Sequence, residues 1–120
     1  MNNDRSDLKR EYKENPPLAG IFKITNKTNG RIYIDKGLNV QGVMNRHEFQ
    51  LRNGSHKNPE LQKDWDQFGA ENFIFEVIDH LKPSDDPSID INNELADLEE
   101  IWLNELTPYE EKGYNKRASK

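Results

Sequence analysis

Apolar residues recur along this chain in two rhythms. From Gly20 to Thr25 and from Arg31 to Asp35 they alternate. Phe22 and Ile24 share one face of the first run, and Ile32 and Ile34 share a face of the second, leaving Tyr33 on its opposite side. Asn29-Gly30 between the runs is a turn signal, although a loop beginning at Asn26 is longer than the minimal hairpin. From Leu38 to Arg52 the period lengthens. Val40, Val43, Met44, His47 and Leu51 make one helical stripe, with His47 at its centre and Arg46 on its flank. A second helix opens with Asn58 as N-cap and Pro59 in its first turn, buries Leu61, Trp65 and Phe68, and stops at Gly69. Residues 72–79 alternate again with both sides largely apolar, the pattern of a strand covered on both faces. An acidic, proline-punctuated loop over 80–93 leads to a last helix from Glu94 to Leu106, whose buried stripe is Leu95, Leu98, Trp102 and Leu106. Upstream, residues 5–14 read as a short polar helix ended by Pro16-Pro17. These elements predict one small α/β domain.

Composition narrows the chemistry. The 120 residues are enough for one domain and too few for two. Without cysteine, disulfides and thiolate metal sites are excluded. His47, His56 and His80 are the only histidines, too few for a multi-histidine metal centre. No apolar run approaches the roughly 18 residues of a membrane helix. The mixed-charge start is not a signal peptide, so a cytoplasmic location is expected.

The net charge of −5 argues against a generic nucleic-acid binder, but the charges are segregated. Residues 20–57 carry seven Lys/Arg against two acids, whereas residues 58–112 carry three Lys against sixteen acids. The first half can therefore present a phosphate-binding face through Lys23, Arg31, Arg46 and Arg52. The bland alternative is chance segregation on a solvated surface.

Glu99 stands out on periodicity alone. It falls within the apolar stripe of the last helix, where an acid is costly unless it is paired, hydrated or bound to metal. Its readings are a rim carboxylate reaching water, a partner of a lysine, or a metal ligand. His47 reads either as a hydrogen-bonded core histidine or as an acid–base group or phosphate contact. Tyr33 reads first as packing.

The order of these pieces carries further information. Gly20-Ile21-Phe22 and Tyr33-Ile34-Asp35 resemble the two signature strands of the GIY-YIG endonucleases. KITNKTNGRIYI, Asn45-Arg46-His47, Gly54-Ser55-His56, LQKDWDQFGAENFIFEVI, the glutamate before Ile101-Trp102-Leu103, and Gly113-Tyr114-Asn115 follow in the family's order. The resemblance spans residues 18–117, leaving residues 1–17 as an extension and 118–120 as a tail.

The resemblance implies an α+β fold, a three-stranded antiparallel sheet flanked by helices. It also implies hydrolysis of DNA phosphodiesters at one divalent metal, Mg²⁺ or Mn²⁺. Carried over by position, Tyr33, His47, His56 and Asn115 belong to the catalytic site and Glu99 is the metal ligand. Three departures bear on activity. Phe22 stands where the family has its first tyrosine, Asp35 where it has the second-triplet glycine, and Val43 where it has the catalytic arginine. Arg46, one turn further on, is the remaining candidate cation. Losing one donor to a developing oxyanion costs roughly 3–4 kcal/mol, and losing a transition-state arginine can cost more. The expectation is a nuclease-fold protein with impaired cleavage. The alternatives are a cleavage-dead DNA-binding or regulatory module and a protein-interaction domain using the acidic second half.

Overall fold

A computed structural model describes residues 17–117, so the helix expected at 5–14 and the 118–120 tail lie outside the described residues. The strands are β1 (Gly20–Asn26), β2 (Ile32–Gly37) and β3 (Phe73–His80), and the helices are α1 (Val40–Arg52), α2 (Pro59–Phe68) and α3 (Ile91–Leu106). Short 3₁₀ turns occupy Ala70–Asn72 and Glu110–Lys112.

The β1–β2 connection follows from its side chains. Asn26 Oδ1 accepts from the Thr28 N–H at 2.9 Å, and Asn29 Oδ1 accepts from the Arg31 N–H at 2.9 Å. Gly30 has φ of 79°, a conformation glycine adopts without penalty. Asn39 and Asn58 cap α1 and α2 by accepting the Gly42 and Leu61 N–H groups. Asp90 caps α3 by accepting from Asn92 and Asn93, so that helix begins at Ile91 rather than Glu94.

The sheet is antiparallel throughout, in the order β2-β1-β3. Phe22 pairs with Asp35 and Ile24 with Tyr33, which puts these four side chains on one face. That face packs with Val40, Met44, Leu51, Leu61 and Trp65 of α1 and α2. The opposite face buries Ile21 and Ile34 beneath Leu95 of α3, with Leu98 and Trp102 packed at the rim. Trp102 Nε1 donates to Asp79 Oδ2 at 2.8 Å, tying α3 to β3. The double coverage expected of β3 holds only in part. Phe73 is buried on the α1/α2 side, while Ile74 and Glu76 on the other side are exposed. No helix among the described residues is long and apolar enough to cross a membrane.

Candidate functional site

The C-terminal segment closes the outer edge of β2. The Tyr114 N–H donates to the Ile32 carbonyl at 2.8 Å. Asn115 then uses its side-chain amide as a strand would use a peptide. Its Oδ1 accepts from the Ile34 N–H at 2.9 Å and its Nδ2 donates to the Ile34 carbonyl at 2.8 Å. A buried polar network holds the segment in place. The Tyr114 hydroxyl donates to Asp64 Oδ2 at 2.6 Å and accepts from Asn26 Nδ2 at 3.0 Å. Burial, chiefly, pushes the Tyr114 hydroxyl up to about 12, and its bond to Asp64 adds to the shift.

Beneath the other face of β2 lies a directed chain of hydrogen bonds. The Asn58 N–H donates to His56 Nδ1 at 3.0 Å, which leaves the His56 proton on Nε2. Burial, chiefly, with the charge of Lys57, lowers His56 to about 4, so this ring is neutral at pH 7. His56 Nε2 lies 2.8 Å from His47 Nδ1 and must donate to it. The His47 proton then sits on Nε2, 3.3 Å from Asp35 Oδ2. Burial alone would raise the Asp35 carboxyl. The bonds from His47 and from the Lys36 N–H, with the charge of Lys57, outweigh it and hold Asp35 below the usual range. Both nitrogens of His47 are thus committed, and the ring is only 3% exposed. Phe22, fully buried, stacks its ring 5.0 Å from His47.

Glu99 comes to β2 from the opposite side. Lys36 alternates with Asp35 and faces α3, where its Nζ meets Glu99 Oε1 at 2.8 Å. The carboxylate side chain is 18% exposed and the lysine 38%. Of the three readings of Glu99, the lysine partner is the one present. Among the described residues no three His, Cys, Asp or Glu side chains converge into a metal-binding group. A divalent ion at Glu99 would have to displace a resident ammonium and gather its other ligands from water. The donor set does not fit the metal that the resemblance implies.

Tyr33 remains open. It is buried against His47 and His56, with ring centroids 5.6 Å from each, yet its hydroxyl has no hydrogen-bond partner among the described residues. Burial first, then the charges of Asp35 and Glu99, push its pKa far above the ordinary tyrosine value, so it stays a proton donor and not a phenolate base. It lines a cavity of about 230 Å³ with Lys57, Asn58, Asn115 and Lys116. The Asn58 and Asn115 side chains are already bonded to Tyr114 and Ile34 backbone. The free groups at this cavity are therefore the Tyr33 hydroxyl and two exposed lysines.

Val43 packs against the α1/α2 core and leaves no room for a Cβ on Gly37. Arg46 is exposed on α1, with no ion pair among the described residues. The other expected phosphate contacts are engaged within the chain. Arg31 reaches Glu60 at 3.3 Å and Asp64 at 3.6 Å and lies over the Tyr114 ring. Arg52 pairs with Glu48 at 2.8 Å, and Lys23 lies 3.8 Å from Glu76.

The structure of the catalytic domain of homing endonuclease I-TevI matches this chain with a TM-score of 0.65, at 22% identity, over 83% of this chain and 99% of that one. A mutant form of the same catalytic domain of intron endonuclease I-TevI matches with a TM-score of 0.65, at 21% identity, over 82% and 92%. The fold is GIY-YIG-like. No family model and no curated protein matches the sequence.

Within this GIY-YIG-like frame, Tyr33, His47 and His56 touch one another, Asn115 lines the same cavity as Tyr33, and Glu99 lies close enough to raise Tyr33 from across β2. Arg46 is exposed on α1 beside His47 in the chain. Lys36, Lys57 and Lys116 were not singled out from the sequence. Lys36 was within reach, because strand alternation places it on the face opposite Tyr33, under the helix whose stripe contains an acid. Lys57 and Lys116 lie in non-repeating segments, where no periodic signal marks them.

Proposed function

We propose that this GIY-YIG-like domain binds nucleic-acid phosphate at the Tyr33 cavity and hydrolyses it at least about 10³-fold more slowly than an intact relative. The observation carrying this reading is the chain from Asn58 through His56 and His47 to Asp35. It directs every proton toward Asp35 and leaves no nitrogen of His47 to take one from water. Tyr33 is held protonated, Phe22 has no hydroxyl, and Val43 has no charge. Mg²⁺ or Mn²⁺ at Glu99, the metal the resemblance implies, would act as a Lewis acid if bound, but no step here is routed through it.

Phosphate binding needs less than hydrolysis. It requires positive charge and donors, which Lys57, Lys116 and the Tyr33 hydroxyl supply at one cavity, with Arg46 free on α1. DNA is the partner favoured by the likeness to an endonuclease domain. Binding should weaken steeply between about 50 and 200 mM salt, as counterion release requires.

Fluorescence anisotropy with a labelled duplex tests the reading. Lys57→Glu with Lys116→Glu should abolish binding, and Arg46→Glu should weaken it. Arg31 is unsuitable as a probe because it ties α2 and Tyr114 to β2. Binding that survives the double reversal, or that ignores salt, would remove phosphate recognition from this cavity.

A further inference from the structure

Lys36 decides the cation chemistry of the site. Its position is set twice over. It pairs with Ile21 across the sheet, and its own N–H donates to Asp35 Oδ1 at 2.8 Å. From there the side chain runs under α3 to Glu99. A carboxylate in the apolar stripe of a helix needs a counter-charge, and the chain supplies one covalently.

We infer that the Lys36 ammonium is a resident replacement for a divalent cation at Glu99, so that the hold of the Tyr33 cavity on phosphate, lined by other residues, needs no metal. This rests on the phosphate-binding reading above. The chemistry of the two cations separates binding from hydrolysis. An ammonium carries one positive charge and three N–H donors. One donor is taken by Glu99, and the lysine side chain is 38% exposed. What an ammonium lacks is a vacant coordination position. It cannot acidify a bound water, the step by which a metal generates hydroxide near neutral pH. Replacing a metal by lysine thus keeps a positive charge beside Glu99 and removes the nucleophile source.

The exchange is also self-reinforcing. Mg²⁺ prefers six oxygens at about 2.0–2.1 Å and parts reluctantly with its waters. At Glu99 it would meet a single carboxylate already neutralised, and its arrival would leave Lys36 without its partner beside a second positive charge. Removing the lysine charge should therefore open the carboxylate to metal.

Mn²⁺ water-proton relaxation on the full chain provides the test, with Lys36→Ser, Lys36→Gln and Lys36→Ser/Glu99→Gln as variants and thermal melting to certify folding. The natural protein should show no Mn²⁺ binding that depends on Glu99. Either folded Lys36 variant should bind Mn²⁺ about tenfold tighter or more, the scale of removing one nearby unit charge. The added Glu99→Gln change should return it to the background. Mn²⁺ binding by the natural protein that disappears in Glu99→Gln would overturn the inference. So would the failure of every folded Lys36 variant to gain it. In parallel, duplex affinity should be the same in EDTA and in Mg²⁺, and a requirement for Mg²⁺ would overturn metal independence. If no duplex binds in either condition, the phosphate reading fails, and the role of Lys36 at Glu99 is judged by the Mn²⁺ result.

Discussion

Two tyrosines mark two regions on β2 and its flanking segment, and they have opposite surroundings. Tyr114 sits where the C-terminal segment meets the start of the strand. Its hydroxyl has both a donor and an acceptor partner in Asn26 and Asp64, and Arg31 covers its ring. Tyr33 sits further along, equally shielded by its neighbours, but its hydroxyl opens into a cavity flanked by lysines. Burial raises both above the ordinary tyrosine value, so both are proton donors at pH 7. The difference is whether the chain itself supplies the acceptor. A satisfied hydroxyl is architecture, and an unsatisfied one at a basic cavity is a group waiting for an anion.

The largest effect expected from this comparison is on stability at Tyr114. Tyr114→Phe leaves the buried Asn26 Nδ2 without its acceptor, worth roughly 1–3 kcal/mol, and removes the shortest bond to Asp64, which keeps Arg31 and Asn29. Thermal melting should fall by at least about 4–8 °C, the scale for 1 kcal/mol in a domain of this size. A Tyr114→Phe protein as stable as the natural one would show that the network is not what holds the C-terminal segment.

A second loss should come from acid. His56 is lowered to about 4 against an ordinary value near 6.5, because its folded environment favours the neutral ring. The unfolded chain therefore takes up a proton first as pH falls. The stabilisation is complete above pH 6.5 and is lost between 6.5 and 4, amounting to roughly 3 kcal/mol. Asp35, held below its usual value, loses its own contribution lower still, beneath about pH 4. Urea unfolding across pH 7 to 4 should show the decline. In His56→Gln stability should be lower at pH 7 and the slope flatter. An unchanged slope would mean that His56 takes up its proton at the same pH in the folded and unfolded chain.

The smallest stability effect belongs to Tyr33. Tyr33→Phe should leave melting within about 0.5 kcal/mol, because no internal bond is broken. It should nevertheless weaken duplex binding about tenfold, as expected for losing one hydrogen bond to a charged group. A stability loss like that of Tyr114→Phe would show a hidden internal partner and erase the contrast.

Much of the frame was legible because it is periodic. Alternation located β1 and β2, and helical spacing located α1 and α2 with His47 buried in its stripe. It also showed that Glu99 needs a partner. Strand alternation put Lys36 on the matching face of β2, but spacing alone did not tie it to an acid 63 residues away. The same limit explains Arg31 and Arg52. A sequence displays a cation but not its nearest carboxylate, and both folded into ion pairs. The open outer face of β3 was missed for another reason. Ile74 and Ile78 suggest cover along the whole strand, but α3 reaches only one end of that side. At the site, the resemblance marked Asp35 as a departure from the second-triplet glycine. The structure adds its partner, since its carboxylate lies 3.3 Å from His47 Nε2.

Central to the proposed function is that His47, His56, Glu99 and Asn115 are engaged within the chain while Tyr33 is open, so that phosphate is bound and hydrolysed at least about 10³-fold more slowly than by an intact relative. The most direct measurement incubates the full chain with supercoiled and branched DNA in Mg²⁺ or Mn²⁺, following nicking and band retardation in the same samples. Glu99→Ala serves as control. The account expects retardation that fades with salt, and no nicked or resolved product above the control. Metal-dependent cleavage by the natural protein that is abolished in Glu99→Ala would contradict it, and would mean that Lys36 yields its place and that Tyr33 or His47 has taken over the missing base.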